Sequence, residues 1–393
     1  MRLSILTKKD FWLIFPFLEP LVFKSWMQPI DTLYSVAKII AIFFILIDCL
    51  NIKKIPKIIW LIILYQLVLY LSTFLNPNGD VMRLIGPSVS VIGPCLYVQV
   101  MFEKNKWKEM LSYISVILSV LCIINLVTVI LYPYGIVKDA MDSNGNEQFF
   151  LGIENRFSFF YLPLFAIQAI YTLATKGKIE LYVWLMGLIN TLVLVYFWAV
   201  GGMLAMLLLM IFLLCFNMVN FGKLLKVYVM AFFILIGNYL LVIERIMYKY
   251  EHFFTVTLDK DVTMSGRTFL WDYGLLSFSE HPILGVGYVD TRYLGRFLDV
   301  AHMHNLMMNI LFTSGLLGIF LFFTIQYQWM KKVDKFRDTK EGGILIIVMF
   351  VSFFMSMADS FDGATFWIIV MLAYNINKIL AQVRKSVDSP ADM

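Results

Sequence analysis

Twelve runs of apolar residues, each close to the length needed to cross a bilayer, constrain this chain more than any other feature. A helix needs about 20 residues to span roughly 30 Å of hydrocarbon. The runs lie at 11–25, 32–50, 56–75, 84–102, 109–132, 157–174, 180–198, 200–216, 224–243, 303–329, 343–358 and 363–381. They predict an all-α polytopic membrane protein with about twelve transmembrane helices, built as a single integral membrane domain over 1–393. Composition agrees, because 60% of the 393 residues are hydrophobic and only 15% are charged, whereas soluble domains carry about 25% charged residues. Pro16, Glu19 and Pro20 interrupt the first run, so a re-entrant or tilted helix is expected there. No small-residue cleavage site follows it, which disfavours a secretory signal.

Lysine and arginine collect at the cytoplasmic ends of membrane spans. With both termini inside, the inner loops hold about 21 of them, against about 10 outside. Two longer loops, 133–156 and 244–302, are then extracytoplasmic, the first as an irregular, turn-rich cap. These anchors account for the net charge of +5, so nucleic acid is not expected as a partner. Cys49, Cys95, Cys122 and Cys215 lie within or beside apolar runs without paired spacing. They read as packing groups, not as a disulfide framework or a metal site.

A polar block from Ser265 to Gly318 stands out between two apolar runs, and such a block is where water and substrate can meet. Apolar positions after Ser265-Gly266-Arg267 predict a short amphipathic helix, N-capped by Ser265 and lying on the outer membrane surface. Pro282 stops it, and Gly285 and Gly287 permit a tight turn that brings backbone close to a ligand or a neighbouring helix. His304 stands at the mouth of the next span. It could serve as a general base, as a cation for phosphate, or as an interfacial residue facing headgroups. His302 is expected to point away from it and be solvated, with His252 and His281 as loop residues. There is no HExxH and no aspartate cluster, so no metal is expected. Asp359 and Asp362 could bind a sugar or an ion, although solvation of a short loop is the commoner meaning. Lys38 and Asp31 are expected to pair. Six arginines, Arg83, Arg156, Arg245, Arg267, Arg292 and Arg296, fall on the outer face. Several converging on one cavity would suit a lipid diphosphate, because guanidinium binds phosphate in two-point fashion; snorkelling to headgroups is the alternative, expected for Arg245 and for one of Arg292 and Arg296.

Together these residues resemble the O-antigen ligase and O-antigen polymerase superfamily of bacterial envelope glycan enzymes. The family's histidine signature is matched by His304, Asn305, Gly315 and Gly318. Ser265-Gly266-Arg267, then Trp271, then Pro282-Ile283-Leu284-Gly285-Val286-Gly287, match its upstream pattern in the same loop. Departures occur at Ser158 and Tyr161-Leu162-Pro163, just beyond Arg156, and at Val200-Gly201-Gly202, where the family often has Ser-Arg. The resemblance implies a fold similar to membrane glycosyltransferases of the GT-C class and a metal-independent, inverting transfer without cofactor. Its donor would be an undecaprenyl-diphosphate-linked oligosaccharide and its product a growing polysaccharide. Carried over by position, Arg267 holds the donor diphosphate, with Arg156 and Arg292 as further contacts, and His304 acts as base or as a diphosphate contact. A flippase and a chain-length regulator are the implied protein partners, in the bilayer of a bacterial plasma membrane with the active site on its extracytoplasmic face.

Two activities fit these motifs. One is a polymerase joining repeat units into capsule, exopolysaccharide or O-antigen; the other is a ligase moving a glycan to a lipid or protein acceptor. From a different class, a lipid-linked oligosaccharide flippase would place ionisable residues at the membrane centre, where Lys38 is the nearest example. No GxGxxG unit or soluble nucleotide-binding domain is found.

Overall fold

The computed structural model describes residues 3–23, 27–52, 54–138, 147–216, 226–257, 261–264, 266–289 and 302–381. The first apolar run does not form one continuous helix. Helix α1 (Lys9–Ile14) gives way to a 3-10 turn at Phe15–Phe17, where Pro16 has no N–H to continue the ladder. The next eight runs each coincide with a helix: α2 (Gln28–Leu50), α3 (Lys57–Leu75), α4 (Val81–Glu103), α5 (Trp107–Leu131), α6 (Ser158–Lys176), α7 (Leu181–Tyr196), α8 (Val200–Cys215) and α9 (Val227–Val242). The long loop then holds α10 (Ile246–Lys249) and α11 (Arg267–Glu280), and the last three runs form α12 (Leu306–Val333), α13 (Lys340–Met355) and α14 (Ala364–Tyr374). Helices α2 to α6 and α12, with the 3-10 turns adjoining α6 and α12, are long and apolar enough to cross a membrane; α7, α8, α9 and α14 are shorter apolar helices. The molecule is a multi-pass membrane protein. Loop 133–156 contains a small antiparallel hairpin, β1 (Val137–Lys138) with β2 (Glu147–Gln148), and Asn125 ties that loop to the bundle through the Leu151 N–H.

A helix that is apolar all round has to be covered on every side, and α14 is: all eleven of its residues are buried. Helix α2 lies at the edge. It buries only Lys38, Ala41, Ile45 and Cys49, a stripe at helical spacing, and turns Leu33, Ile40 and Phe43 outward. One member of that protein-facing stripe is therefore a charged side chain.

Two glycine motifs of the polar block account for each other. Helix α12 breaks at Gly315, which sits at φ 59°, ψ −156°, a conformation open essentially only to glycine. The Pro282–Gly287 turn inserts into the break backbone to backbone. Val286 N–H donates to Phe312 O at 2.7 Å and Gly287 N–H to Thr313 O at 3.0 Å, while Leu316 and Leu317 N–H donate to Pro282 and Ile283 O at 2.8 and 3.1 Å. A Cβ on Gly315 would lie 2.5 Å from the Ile283 carbonyl, and one on Gly285 2.4 Å from Phe312 O. The groups freed by the kink are thus satisfied by the loop, as irregular backbone within a membrane protein requires. On its other side the same segment is tied to the α3–α4 turn: Tyr288 N–H donates to Thr73 Oγ1 at 2.9 Å and Asp80 N–H to Tyr288 O at 2.7 Å.

Helix α11 departs from expectation. Gly266 occupies its N-cap position at φ 79°, with its N–H donating to Thr263 Oγ1 at 3.0 Å; Ser265 lies outside the described residues. Rather than resting on a membrane surface alone, α11 packs on α12 and buries Leu270, Trp271, Gly274 and Ser277. The apolar face is broad enough to serve two environments, because Phe269 and Leu276 remain exposed on another side.

Candidate active site

Asn305 is the clamp on which the site is built. Its Oδ1 caps α12 by accepting from Met308 N–H at 3.0 Å, and its Nδ2 donates to Asn238 Oδ1 and Met357 O, both at 2.9 Å. Leu306 N–H adds a bond to Ser356 O at 2.9 Å. The start of α12 is thereby fastened to α9 and to the segment between α13 and α14. From α11, the fully buried Trp271 donates its indole N–H to Met303 O at 3.0 Å. Between these two anchors His304 is held at φ 46°, a left-handed conformation that costs a non-glycine residue about 1–3 kcal/mol and persists only where its surroundings enforce it.

That conformation corrects the expectation for His302. Instead of pointing apart, the two imidazole rings lie with centroids 4.1 Å apart. The Arg156 guanidinium donates to His302 Nε2 at 3.0 Å, and the His304 main-chain N–H lies 3.2 Å from His302 Nδ1. Arg156 also rests over the Phe159 ring, 5.9 Å from its centroid, within cation–π range. Arg156 can only donate, so its contact makes Nε2 the lone-pair nitrogen of His302 and opposes a second proton on the ring. Burial, the neighbouring His304 and the two arginines push His302 down to about 3, so it is neutral at physiological pH.

Asp359 is a second correction. Its carboxylate is not solvated in a loop but sits 3.5 Å from His304 Nδ1. Burial alone would favour its neutral form, yet the His304 contact, Arg156 and His302 hold it well below the usual carboxylate range. An ionised Asp359 facing Nδ1 at this distance electrostatically favours a proton on that nitrogen, which leaves Nε2 as the ring's lone-pair nitrogen. Asp362 behaves oppositely, raised to about 6 by burial and by the adjacent Asp359 charge. Arg267, at the first turn of α11, is within electrostatic reach of both His302 and Asp359. Arg292 and Arg296 lie outside the described residues, and Arg245 pairs with Asp272 rather than reaching for headgroups.

His302, His304 and Asp359 bring three ligand-type atoms within 4.8 Å of one another. They make a poor cation site, because Arg156 already occupies the lone pair of His302 and would crowd a metal with its own positive charge. The trio reads better as an acid–base set in which Asp359 faces the His304 ring.

Beside this cluster opens a chamber of 1010 Å³, lined among others by Arg156, Asn309, Asp362, Arg83, Lys38 and Glu19. Lys38 pairs with Glu19 within the buried interior, not with Asp31 as expected. Arg83 donates to Val289 O at 2.6 Å.

Residues 164–323 match the family model described as O-antigen ligase. Over these residues the chain is similar to the O-antigen ligase family, which supports the ligase and polymerase superfamily. The match takes in α11, both glycine motifs and His304, and leaves Arg156 and Asp359 outside it. No curated protein matches the chain. Members of this superfamily are glycosyl-transferring membrane enzymes, and the match supports a membrane glycan-handling function.

Proposed function

We propose that the protein is a polymerase that joins undecaprenyl-diphosphate-linked repeat units into a surface polysaccharide by metal-independent, inverting glycosyl transfer. In this reading it is a single integral membrane domain of twelve crossings with both termini cytoplasmic, and the site faces the extracytoplasmic side of the plasma membrane. The observation that carries it is the convergence of His304, Asp359 and Arg156, with Arg267 in electrostatic reach.

The acceptor hydroxyl oxygen attacks the anomeric carbon of the donor from the face opposite its diphosphate. As the new C–O bond forms, the hydroxyl proton passes to His304 Nε2 and Asp359 stabilises the resulting imidazolium, an arrangement of base and orienting carboxylate familiar from acyl transfer. The bond from the anomeric carbon to the diphosphate oxygen breaks, and its electron pair leaves with the polyprenyl diphosphate. Arg156 and Arg267 neutralise the charge that develops there. Neutral His302 holds Arg156 in place without competing for the proton.

Ligase activity is the second reading, favoured by the description of the matched family. Incubating purified protein, without added metal, with undecaprenyl-diphosphate-linked repeat units from its native host separates them. A ladder of polymer supports polymerase, and transfer of one glycan to an added acceptor replaces it with ligase. Translocation of the lipid across a vesicle membrane without either product would overturn both.

A further inference from the structure

Part of the wall of the chamber beside the catalytic cluster comes from α2, α3 and α4, none of which lies in the matched domain. Lys38 stands ten residues into α2, about 15 Å along a helix of membrane-spanning length. Gln66, at the middle of α3, faces the same space. Both Lys38 and Glu19 are only 6% exposed. A buried ion pair at that depth costs several kcal/mol in desolvation that its mutual attraction offsets only in part, and intramembrane charges of this kind mark a ligand path or functional site.

The wall also excludes occupants. Hydrocarbon would leave Lys38, Glu19, Asp31 and Gln66 facing an apolar filling, with a desolvation cost for each. A lone ion or proton needs no chamber of 1010 Å³, a volume at the top of the range of about 300–1,000 Å³ typical of ligand pockets. What fits is a polyhydroxylated ligand, whose hydroxyls donate to carboxylates and accept from ammonium, guanidinium and amide. Two further observations agree. Trp367 and Ser360, both in the lining, have an indole N–H and a hydroxyl with no hydrogen-bond partner among the described residues. Gly86 of α4 lines the same wall as Lys38, and a Cβ there would meet nothing within 4 Å.

We infer that this wall of the chamber, built around the Lys38–Glu19 pair and the open face of Gly86, is a subsite for the sugars of the lipid-linked glycan. It rests on the transferase reading above and adds to it where the glycan is read: in the N-terminal helices that share the chamber with Arg156.

Gly86→Trp tests this by adding bulk to the chamber lining at a position where a Cβ meets no atom within 4 Å, with Gly86→Ala as its control. Binding to protein in lipid nanodiscs is measured for the native host's undecaprenyl-diphosphate-linked repeat unit and for undecaprenyl diphosphate bearing no sugar. The expected result is that Gly86→Trp weakens the sugar-bearing lipid by more than about tenfold and leaves the bare lipid diphosphate and the unfolding temperature unchanged. Gly86→Ala should leave both unchanged. Joint removal of the charges by Lys38→Met with Glu19→Gln, which avoids stranding one of them, should also selectively weaken the sugar-bearing lipid. Wild-type binding of the repeat unit by Gly86→Trp overturns the subsite, as does equal loss of both lipids. Failure of wild-type protein to bind either lipid would instead sink the transferase reading on which the subsite stands.

Discussion

Replacing Gly315 with alanine should disable the enzyme from a position that touches no substrate. The residue sits at φ 59°, ψ −156°, where a side chain costs about 1–3 kcal/mol in backbone strain. Its new Cβ would also lie 2.5 Å from the Ile283 carbonyl carbon and oxygen and 2.7 Å from Gly285 N, and such overpacking against backbone costs about 1–3 kcal/mol more. Together these amount to about 2–6 kcal/mol, concentrated on the four backbone hydrogen bonds that seat the Pro282–Gly287 turn in the kink of α12. Because the same turn is anchored to α3 and α4 and leads toward His304, the strain is expected to unseat the site while the helices stay in place. Circular dichroism should therefore remain helical while polymer formation falls below a tenth of wild type, a loss of about 1.4 kcal/mol or more in transition-state stabilisation. Gly201→Ala, where a Cβ meets nothing within 4 Å, is the silent control. Wild-type activity and unfolding temperature in Gly315→Ala would refute the proposed role of the kink.

Asp359→Asn should lower turnover by about a hundredfold or more with little change in expression, since an amide cannot hold the His304 proton on Nδ1 or stabilise an imidazolium; initial rates with lipid-linked repeat units check this. Arg156→Lys and Arg267→Lys should each impair transfer strongly, because a point charge does not replace a two-pronged guanidinium; product yield on gels is the readout, and full activity in either would move the diphosphate contact elsewhere. His302 ordinarily titrates at 6.5 and is held near 3 in the folded protein. Its contribution to stability is thus complete above about pH 6.5 and is lost as pH falls toward 3, reaching about 2 kcal/mol at pH 5. His302→Gln should accordingly show a smaller drop in unfolding temperature between pH 7 and pH 5 than wild type, and an equal drop would remove the basis for a buried neutral ring.

Helix positions were legible because each apolar run is bounded by charged or turn-forming residues. The run at 56–75 became Lys57–Leu75, and that at 363–381 began as Ala364–Tyr374. Where prolines cut the first run, periodicity had nothing to say about the path, and so the true partner of Lys38, Glu19, was missed in favour of Asp31. Motif glycines could be picked out by type, but only the fold shows that Gly285 and Gly315 are two sides of one backbone contact. The acid–base set was half visible. His304 and Asn305 carry a recognisable spacing, whereas Asp359 arrives from another loop, 55 residues along the chain, with no local signal to link it. His302 was misjudged because strand or helix geometry would splay His302 and His304, and a left-handed φ at a histidine is not written in the sequence. Carboxylates such as Asp359 and Asp362, rare in so apolar a chain and placed just before a fully buried helix, are the signal that merited more weight.

The central claim is that His304, oriented by Asp359, is the base of a metal-independent glycosyl transfer. Polymer formation by purified wild-type protein and by His304→Ala, each with lipid-linked repeat units in the presence of a strong chelator, tests it most directly. The account predicts a full ladder from the chelated wild type and none from His304→Ala at equal folded protein. Retention of the ladder in His304→Ala, or its loss from wild type on chelation with recovery on adding a divalent cation, would contradict it.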